Sequence, residues 1–406
     1  MKIQRMGERE FIALMAALTA STALGIDVML PALGEIRAAF GLAPDSTTVS
    51  WAVTLYLFGL GVAQLLFGPL ADRFGRKPAL WLGLALYALG ATGAALAPSL
   101  EFLLVSRLLW GIGAASPRAI ALTIVRDRHV GDRMARVLAL VMTVFMIAPI
   151  LGPGIGELLL LSGSWRWVFG FSVVTAVVLS LWLLRLEETL DPRHRLTLDL
   201  RRLGAAFRAV VAQRSTLGYG LALAWALSAF LAYLAGSELL FDDVYGRSSQ
   251  FALLFGVGAA VMAVAALSST RTIKALGART VLHRAVACYI AVAAVLAAAS
   301  LLAGGAPTFW LWWALLTGLN ALHVIIVPIC NSLAMVPMGE IAGTASAVIG
   351  AFSMIVGSLL ASLTNRFLLD SVTPLSLGYL GYGALAAACI GWAGRQRLAM
   401  TGAPAG

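Results

Sequence analysis

Apolar segments of about 20 residues recur along the whole chain and limit what it can fold into. They lie at 10–33, 48–71, 78–98, 101–125, 134–160, 165–186, 216–241, 250–271, 281–303, 308–336, 342–366 and 374–395. A helix of about 20 apolar residues spans the hydrocarbon core of a bilayer, and it satisfies all of its own backbone hydrogen bonds there. The pattern predicts an all-α membrane protein with twelve transmembrane helices and the lipid bilayer as its main solvent.

The charge content agrees with that prediction. Charged residues make up 12% of the chain and hydrophobic residues 60%, whereas a soluble domain carries about 25% charged residues. The net charge of +10 would suggest a nucleic-acid partner in a soluble protein. Here the basic residues fall in short loops between apolar segments. We therefore expect no nucleic-acid partner and interpret these residues as determinants of topology.

Lysine and arginine are concentrated in alternate loops. If the N-terminus is cytoplasmic, the outer loops hold only Arg37, Arg166, Arg247 and Arg366. Basic loops stay on the cytoplasmic side of a membrane, so both termini are predicted to be cytoplasmic. The first apolar segment is too long for a cleaved signal peptide and ends without a small-residue cleavage pattern, so we expect it to be retained as the first helix.

A polar stretch at 187–215 divides the chain into two sets of six predicted helices, 1–186 and 216–406. Leucines give this stretch some apolar character, so part of it is expected on the membrane surface. Phe40-Gly41 follows the first helix as Tyr245-Gly246 follows the seventh. Two pseudo-symmetric six-helix bundles joined by a cytoplasmic linker are typical of transporters.

Several kinds of catalytic and cofactor site have no counterpart in the sequence. Cys288, Cys330 and Cys389 each stand alone in an apolar segment, with neither metal-ligand spacing nor a disulfide pattern. No phosphate-binding glycine loop, HExxH motif or Ser-His-Asp order is present. We expect neither an enzyme nor a bound metal or cofactor.

The run GPLADRFGRKP, at Gly68–Pro78, predicts a tight turn between the second and third helices. Gly75 allows a backbone with positive φ there. This run resembles the signature loop of the major facilitator superfamily, and its matching positions are Gly68, Asp72, Arg73, Gly75, Arg76 and Lys77. The resemblance implies that Asp127, at the end of the fourth helix, pairs with Arg76 as part of a cytoplasmic gate.

Four further segments extend the resemblance. Residues 25–33 look like the first helix of drug:proton antiporters, 107–115 resemble the superfamily's fourth-helix arginine motif, and 328–347 look like the Bcr/CflA branch. Residues 148–156 resemble the fifth-helix antiporter motif, with Pro149, Gly152, Pro153 and Gly156 as its positions. An ordinary kinked packing helix is the alternative interpretation of this last segment. The resemblance implies the major facilitator fold and exchange of substrate for protons.

Three charges of the first half lie at least six residues inside their predicted helices. Asp27 precedes the outer end of the first helix by six residues, or about 9 Å, and Pro31 removes the donor for its carbonyl. A titratable proton site and an aspartate that caps a kink are both open interpretations. Arg107 has a similar depth, and the resemblance implies that it is coupled to the proton-binding acid. Arg118 lies near the same face and either binds substrate or reaches the cytoplasmic mouth.

In the second half, Glu238 and His323 are the candidate titratable groups within predicted helices. Glu238 has three open interpretations: a second proton site, a counter-charge for a cationic substrate, or a solvated rim residue. On the tenth helix, Asn320 shares a face with His323, and Asn331 returns to the direction of Asn320. His323 is interpreted either as a proton carrier or as a hydrogen-bonded packing residue. Aromatic and methionine side chains are candidates for lining an apolar substrate cavity, among them Tyr56, Met146 and Tyr233.

The functional prediction is a monomeric, proton-coupled antiporter of the bacterial inner membrane. Its partners would be protons and a small, lipophilic or antibiotic-like substrate, moved by alternating access. Export of an endogenous metabolite, such as a siderophore or an amino-acid derivative, is the main alternative. A membrane receptor or enzyme that transports nothing is the third.

Overall fold

The computed structural model describes residues 6–43, 46–191, 193, 195, 200–368 and 370–401. Within these ranges, 12 helices are long and apolar enough to cross a membrane. The predicted all-α fold with twelve membrane-spanning helices is thereby confirmed. In lipid a backbone must satisfy its own hydrogen bonds, which is why the apolar segments are helical almost from end to end.

The chain divides into two compact units. The first comprises Met1–Asp199 together with Arg247–Ala260, and the second comprises Leu200–Gly246 together with Val261–Gly406. The division along the chain therefore falls inside the polar stretch that we predicted as a linker. The first turns of the eighth spanning helix belong to the first unit.

Seven helices precede that division. They are α1 (Glu8–Asp27), α2 (Leu33–Ala39), α3 (Trp51–Phe74), α4 (Arg76–Ala95), α5 (Leu100–Arg128), α6 (Gly131–Leu160) and α7 (Arg166–Leu183). Within the first unit α5 packs against α1, α3 and α4. A Cβ atom at Gly111 would lie 2.0 Å from the carbonyl oxygen of Tyr56, so only glycine allows α3 and α5 to approach so closely.

Seven helices follow the division. They are α8 (Leu200–Ala212), α9 (Arg214–Leu239), α10 (Phe251–Leu276), α11 (Ala278–Leu302), α12 (Phe309–Met335), α13 (Ala342–Asn365) and α14 (Thr373–Thr401). Within the second unit α9 packs against α12, α13 and α14. The short helix α8 packs against α9 and α13, with Ala206 and Val210 buried and Phe207 and Val211 exposed.

The first spanning segment differs from its prediction. It was expected as one helix at 10–33, but α1 ends at Asp27, and a short 3-10 turn at Leu30–Ala32 connects it to α2. Asp27 is therefore the last residue of a helix, not a residue six positions inside one. Pro31 lies in the 3-10 turn and has no N–H to give the Asp27 carbonyl, which explains why the α-helix stops there.

Candidate functional site

Asp27 is a buried carboxylate at the break between α1 and the 3-10 turn. Its exposed fraction is 4%. Among the described residues, no donor forms a hydrogen bond with its side chain and no basic residue forms an ion pair with it. An isolated carboxylate inside a membrane protein is costly and marks a candidate functional site.

The break leaves the Gly25 carbonyl without its usual α-helical hydrogen bond. The Met29 N–H donates to the Ile26 carbonyl at 3.1 Å, so it is not directed at the Gly25 carbonyl four residues back, as a regular α-helix would require. The Gly25 carbonyl instead accepts a hydrogen bond from Nη1 of Arg107 at 2.8 Å. The break and the arginine therefore belong to one structure.

Arg107 is completely buried. Its Nε donates to the Ala52 carbonyl on α3 at 2.9 Å, and its guanidinium carbon lies 4.4 Å from the Tyr56 ring centroid and 4.5 Å from that of Trp110. Arg107 thus joins α1, α3 and α5 through backbone carbonyls and aromatic rings. Arg107 forms no ion pair with Asp27. The two are connected only through the backbone, because Arg107 holds the carbonyl of Gly25, two residues before Asp27.

Tyr56 has a different place from the one expected. We expected it to line a substrate cavity, but its side chain is completely buried. Its hydroxyl donates to the Thr22 carbonyl on α1 at 2.9 Å, while its ring packs on Arg107. Tyr56 therefore supports the arginine instead of facing open space.

Two glycines of the predicted antiporter motif bring α6 against this break. A Cβ atom at Gly152 would lie 2.5 Å from Cβ of Asp27, and one at Gly156 would lie 2.2 Å from the Val28 carbonyl oxygen and 2.7 Å from Cγ of Pro31. Pro149 and Pro153 are both inside α6, which continues through them. The glycines of the motif therefore let α6 pack directly over Asp27 and the backbone that follows it.

Gly156→Ala is expected to separate α6 from the break in α1, since the added methyl group would collide with backbone that cannot rotate away. We expect a large loss of transport and a lower melting temperature in detergent. Gly154→Ala is the matched control, because a Cβ atom at Gly154 meets nothing within 4 Å. Equal activity of the two variants would show that close contact at Gly156 is not required.

Arg118 and Phe145 form a second feature of the first unit. Arg118 is exposed, and its guanidinium carbon lies 4.9 Å from the Phe145 ring centroid. Met146, the next residue on α6, is half-buried.

The signature turn consists of one residue. Gly75 alone separates α3 from α4, and its φ of 110° is the positive value expected for this position. Arg76 hydrogen-bonds Asp72 in the last turn of α3, and its Nε donates to Oδ2 of Asp127 at 2.9 Å. The pairing of Arg76 with Asp127 that the resemblance implies is therefore present. We call the region of Gly75, Asp72 and Asp127 the Gly75 end.

The remaining signature positions are more loosely held. Gly68 and Arg73 are exposed, and Arg73 lies over the Phe74 ring. Lys77 is half-buried, and its Nζ donates to the Leu184 carbonyl at 3.2 Å. Their contribution to the turn is smaller than that of Arg76.

Sequence reasoning missed Glu188, which caps α4. Its carboxylate accepts hydrogen bonds from the backbone N–H groups of Arg76 at 2.9 Å and Lys77 at 3.0 Å. It also accepts from Thr189 and Leu190, both at 2.9 Å. The signal was available: Gly75 has no side chain, so the first N–H groups of α4 need an acceptor from elsewhere.

Glu188→Ala is expected to destabilise the Gly75 end by about 1–2 kcal/mol, the usual cost of losing a helix cap next to a favourable helix dipole. Hydrogen exchange should show faster exchange at the amides of Arg76 and Lys77. Glu187→Ala removes the same charge from an exposed neighbour and should leave both amides protected. Unchanged protection in Glu188→Ala would mean that the cap contributes nothing.

Two polar residues of α12, Asn320 and His323, are buried in the second unit. The Tyr379 hydroxyl donates to Oδ1 of Asn320 at 2.6 Å. His323 is 6% exposed and stacks on Phe230, with ring centroids 4.8 Å apart and planes at 15°. The cavity beside His323 has a volume of about 10 Å³, enough for a single water molecule. This particular pocket is therefore too small for a substrate.

The other two predicted cavity residues of the second half differ in exposure. Tyr233 is buried, with its ring centroid 6.5 Å from that of Phe230. Asn331 is half-buried on α12.

Glu238 is buried near the end of α9, with an exposed fraction of 4%. The interpretation of Glu238 as a solvated rim residue is therefore wrong, because packing encloses its side chain. The neighbouring Gly236 lies against Asn365 of α13: a Cβ atom there would be 3.3 Å from the Asn365 Oδ1. Glu238 stays a candidate for a second proton site or a counter-charge.

Comparisons with known proteins agree with this geometry. Residues 15–362 match the model of the Major Facilitator Superfamily. The chain is 27% identical to a bicyclomycin resistance protein homolog of Haemophilus influenzae, over 90% of this chain and 91% of the relative. It is also 27% identical to a chloramphenicol resistance protein of Pseudomonas aeruginosa, over 84% and 81%.

A solved structure supports the fold separately. The crystal structure of a D-xylose–proton symporter superposes with a TM-score of 0.75 at 14% sequence identity, over 94% of this chain and 97% of the other. The family and its transporter relatives indicate a multi-pass membrane transporter of small molecules, not an enzyme. The chain belongs to the Major Facilitator Superfamily.

Proposed function

We propose that the chain is a proton-coupled antiporter that exports small, lipophilic, antibiotic-like compounds. One observation supports the proposal above all: Asp27 is buried without a partner at a break in α1. A buried carboxylate is costly to ionise, so a proton is the ligand that it would take. Arg107 and the α6 glycines surround the same break.

The proposed mechanism uses the break as the element that moves. When Asp27 gains or loses a proton, the charge at the end of α1 changes, and the contacts that hold α6 against Val28 and Pro31 must adapt. Arg107 is a fixed positive charge that holds the Gly25 carbonyl and stabilises the ionised carboxylate. Alternating access would couple this local change to substrate binding.

The proposed substrate class comes from the relatives, whose names refer to bicyclomycin and chloramphenicol. Export of an endogenous metabolite is the second candidate, and the exposed Arg118 favours it because many metabolites carry carboxylates or phosphates.

We further propose a monomer in the bacterial inner membrane with both termini in the cytoplasm. This places the Gly75 end on the cytoplasmic face, where the Arg76–Asp127 pair would act in a gate. The functional division would then be 1–186, a linker at 187–215, and 216–406.

Reconstitution into liposomes tests the proposal. Chloramphenicol should accumulate when an imposed pH gradient drives protons in the opposite direction, and an uncoupler should stop it. Accumulation that persists after the gradient has collapsed would contradict antiport. Absence of any chloramphenicol or metabolite movement would favour a receptor.

A further inference from the structure

Arg118 is an exposed charge in the middle part of α5. It precedes the end of this helix, Arg128, by ten residues, which is about 15 Å along the axis. A lone arginine that faced lipid at this depth would be costly. Its exposed guanidinium must therefore meet water or a ligand.

The guanidinium of Arg118 keeps all of its donors available. Its guanidinium carbon lies over the Phe145 ring, and a contact with a ring uses none of its five N–H donors. Among the described residues, no carboxylate forms an ion pair with Arg118 and no acceptor forms a hydrogen bond with it. Such a planar fork matches a carboxylate or phosphate with two parallel hydrogen bonds.

An apolar wall adjoins this charge. Phe145 packs against Ala20, Ala23 and Ala148, which form a small buried cluster between α1 and α6. Ala23 precedes Asp27 by four residues, or about 6 Å along α1. A ligand whose anionic group met Arg118 would therefore find apolar surface beside it and Asp27 about one turn further along α1.

The balance of charge in the first unit also favours an anionic ligand at Arg118. More than six residues from the ends of the spanning segments, the first of which is Glu8–Ala39, the described part of the first unit carries the charges Arg107, Arg118 and Asp27. With Asp27 ionised, one positive charge remains uncompensated at this depth. An anion bound to Arg118 would neutralise it, whereas a cation would increase the imbalance.

We propose that Arg118 and Phe145 bind the anionic group of an amphipathic substrate, a carboxylate or phosphate joined to an apolar body. This inference rests on the proposed function, because it names the substrate class of the same exporter. Arg118 is thus a specificity residue, separate from the proton site at Asp27.

A matched pair of probes isolates the charge. Chloramphenicol hemisuccinate carries a free carboxylate, and its methyl ester has nearly the same shape without the charge. Binding of both is measured by isothermal titration on the full chain in a neutral detergent, with no gradient. We expect the hemisuccinate to bind about tenfold more tightly than the ester, as for a hydrogen-bonded charged group.

Three variants complete the test. Arg118→Gln should bring the affinity ratio of the two probes to about one, while Arg118→Lys should keep part of it. Arg126→Gln removes the same charge from an exposed position on α5 and should leave the ratio unchanged. Melting temperatures and binding of the ester show whether each variant is folded.

The outcomes separate this inference from the proposed function. A wild-type ratio near one, or a ratio that Arg118→Gln leaves intact, would overturn the anion site. Tighter binding of micellar phosphatidylglycerol than of the hemisuccinate, lost in Arg118→Gln, would overturn it as well, by assigning Arg118 to a lipid headgroup. None of these results depends on transport, so failure of proton-driven accumulation would count against antiport alone.

Discussion

Asp27→Asn is expected to reduce proton-driven accumulation of substrate to the level of protein-free liposomes. Asparagine has the same shape as the protonated aspartic acid but cannot release a proton, so the end of α1 would stay in one charge state. Because nothing else pairs with the Asp27 carboxylate, the variant should fold and should melt at or above the wild-type temperature. Exchange of labelled for unlabelled substrate without a gradient should persist.

Two measurements make this result decisive. Asp132→Asn removes a carboxylate from the first turn of α6, where the side chain is exposed, and it should transport like the wild type. Proton release on addition of substrate to the detergent-solubilised protein should be present in the wild type and Asp132→Asn but absent from Asp27→Asn. Full proton coupling in Asp27→Asn would remove Asp27 from the mechanism.

Arg107→Lys is expected to abolish transport although it keeps the positive charge. A lysine ammonium is a single point of charge and cannot donate to both the Gly25 and Ala52 carbonyls as the forked guanidinium does. Losing one charge-assisted hydrogen bond costs about 1.5–3 kcal/mol. The melting temperature in detergent should therefore fall together with transport.

Arg126→Lys is the matched control for this change. It makes the same replacement at an exposed site of α5 and should alter neither stability nor transport. If Arg107→Lys exported substrate at the wild-type rate, positive charge alone would suffice, and the two carbonyl hydrogen bonds would have no functional role.

The sequence predicted the helices well because the bilayer imposes one length and one composition on every spanning segment. It also predicted the positive φ of Gly75, since that turn is short and its residues are adjacent. The pairing of Arg76 with Asp127, 51 residues further along the chain, was implied only by the resemblance of the signature loop. The break at Asp27 was predicted only in part: Pro31 indicated a missing hydrogen bond, but not that a second helix would follow.

What sequence reasoning missed depends on contacts between distant segments. Glu188 is 112 and 111 residues from Arg76 and Lys77, whose N–H groups donate to it, and nothing local distinguishes it from Glu187. The burial of Tyr56 and Glu238 depends on which face of a helix meets a neighbour, and uniformly apolar helices give little periodic signal for this. The close contact of Gly156 with Val28 likewise depends on how α6 packs against the break in α1, which the sequence does not specify.

The hydrogen bonds of Arg107 have a consequence for genetics. Both of its acceptors are main-chain oxygens, which every amino acid supplies equally. A saturation scan of the surrounding positions would therefore find a sensitive arginine whose bonded residues, Gly25 and Ala52, respond only to changes in bulk. For the same reason, the residue type at position 107 should covary only weakly with the residue types at 25 and 52, although the hydrogen bonds between them are strong. Replacing a single peptide bond with an ester weakens its carbonyl as an acceptor. Such a replacement at Gly25 or Ala52 would reveal the hydrogen bond to Arg107 that side-chain substitutions miss.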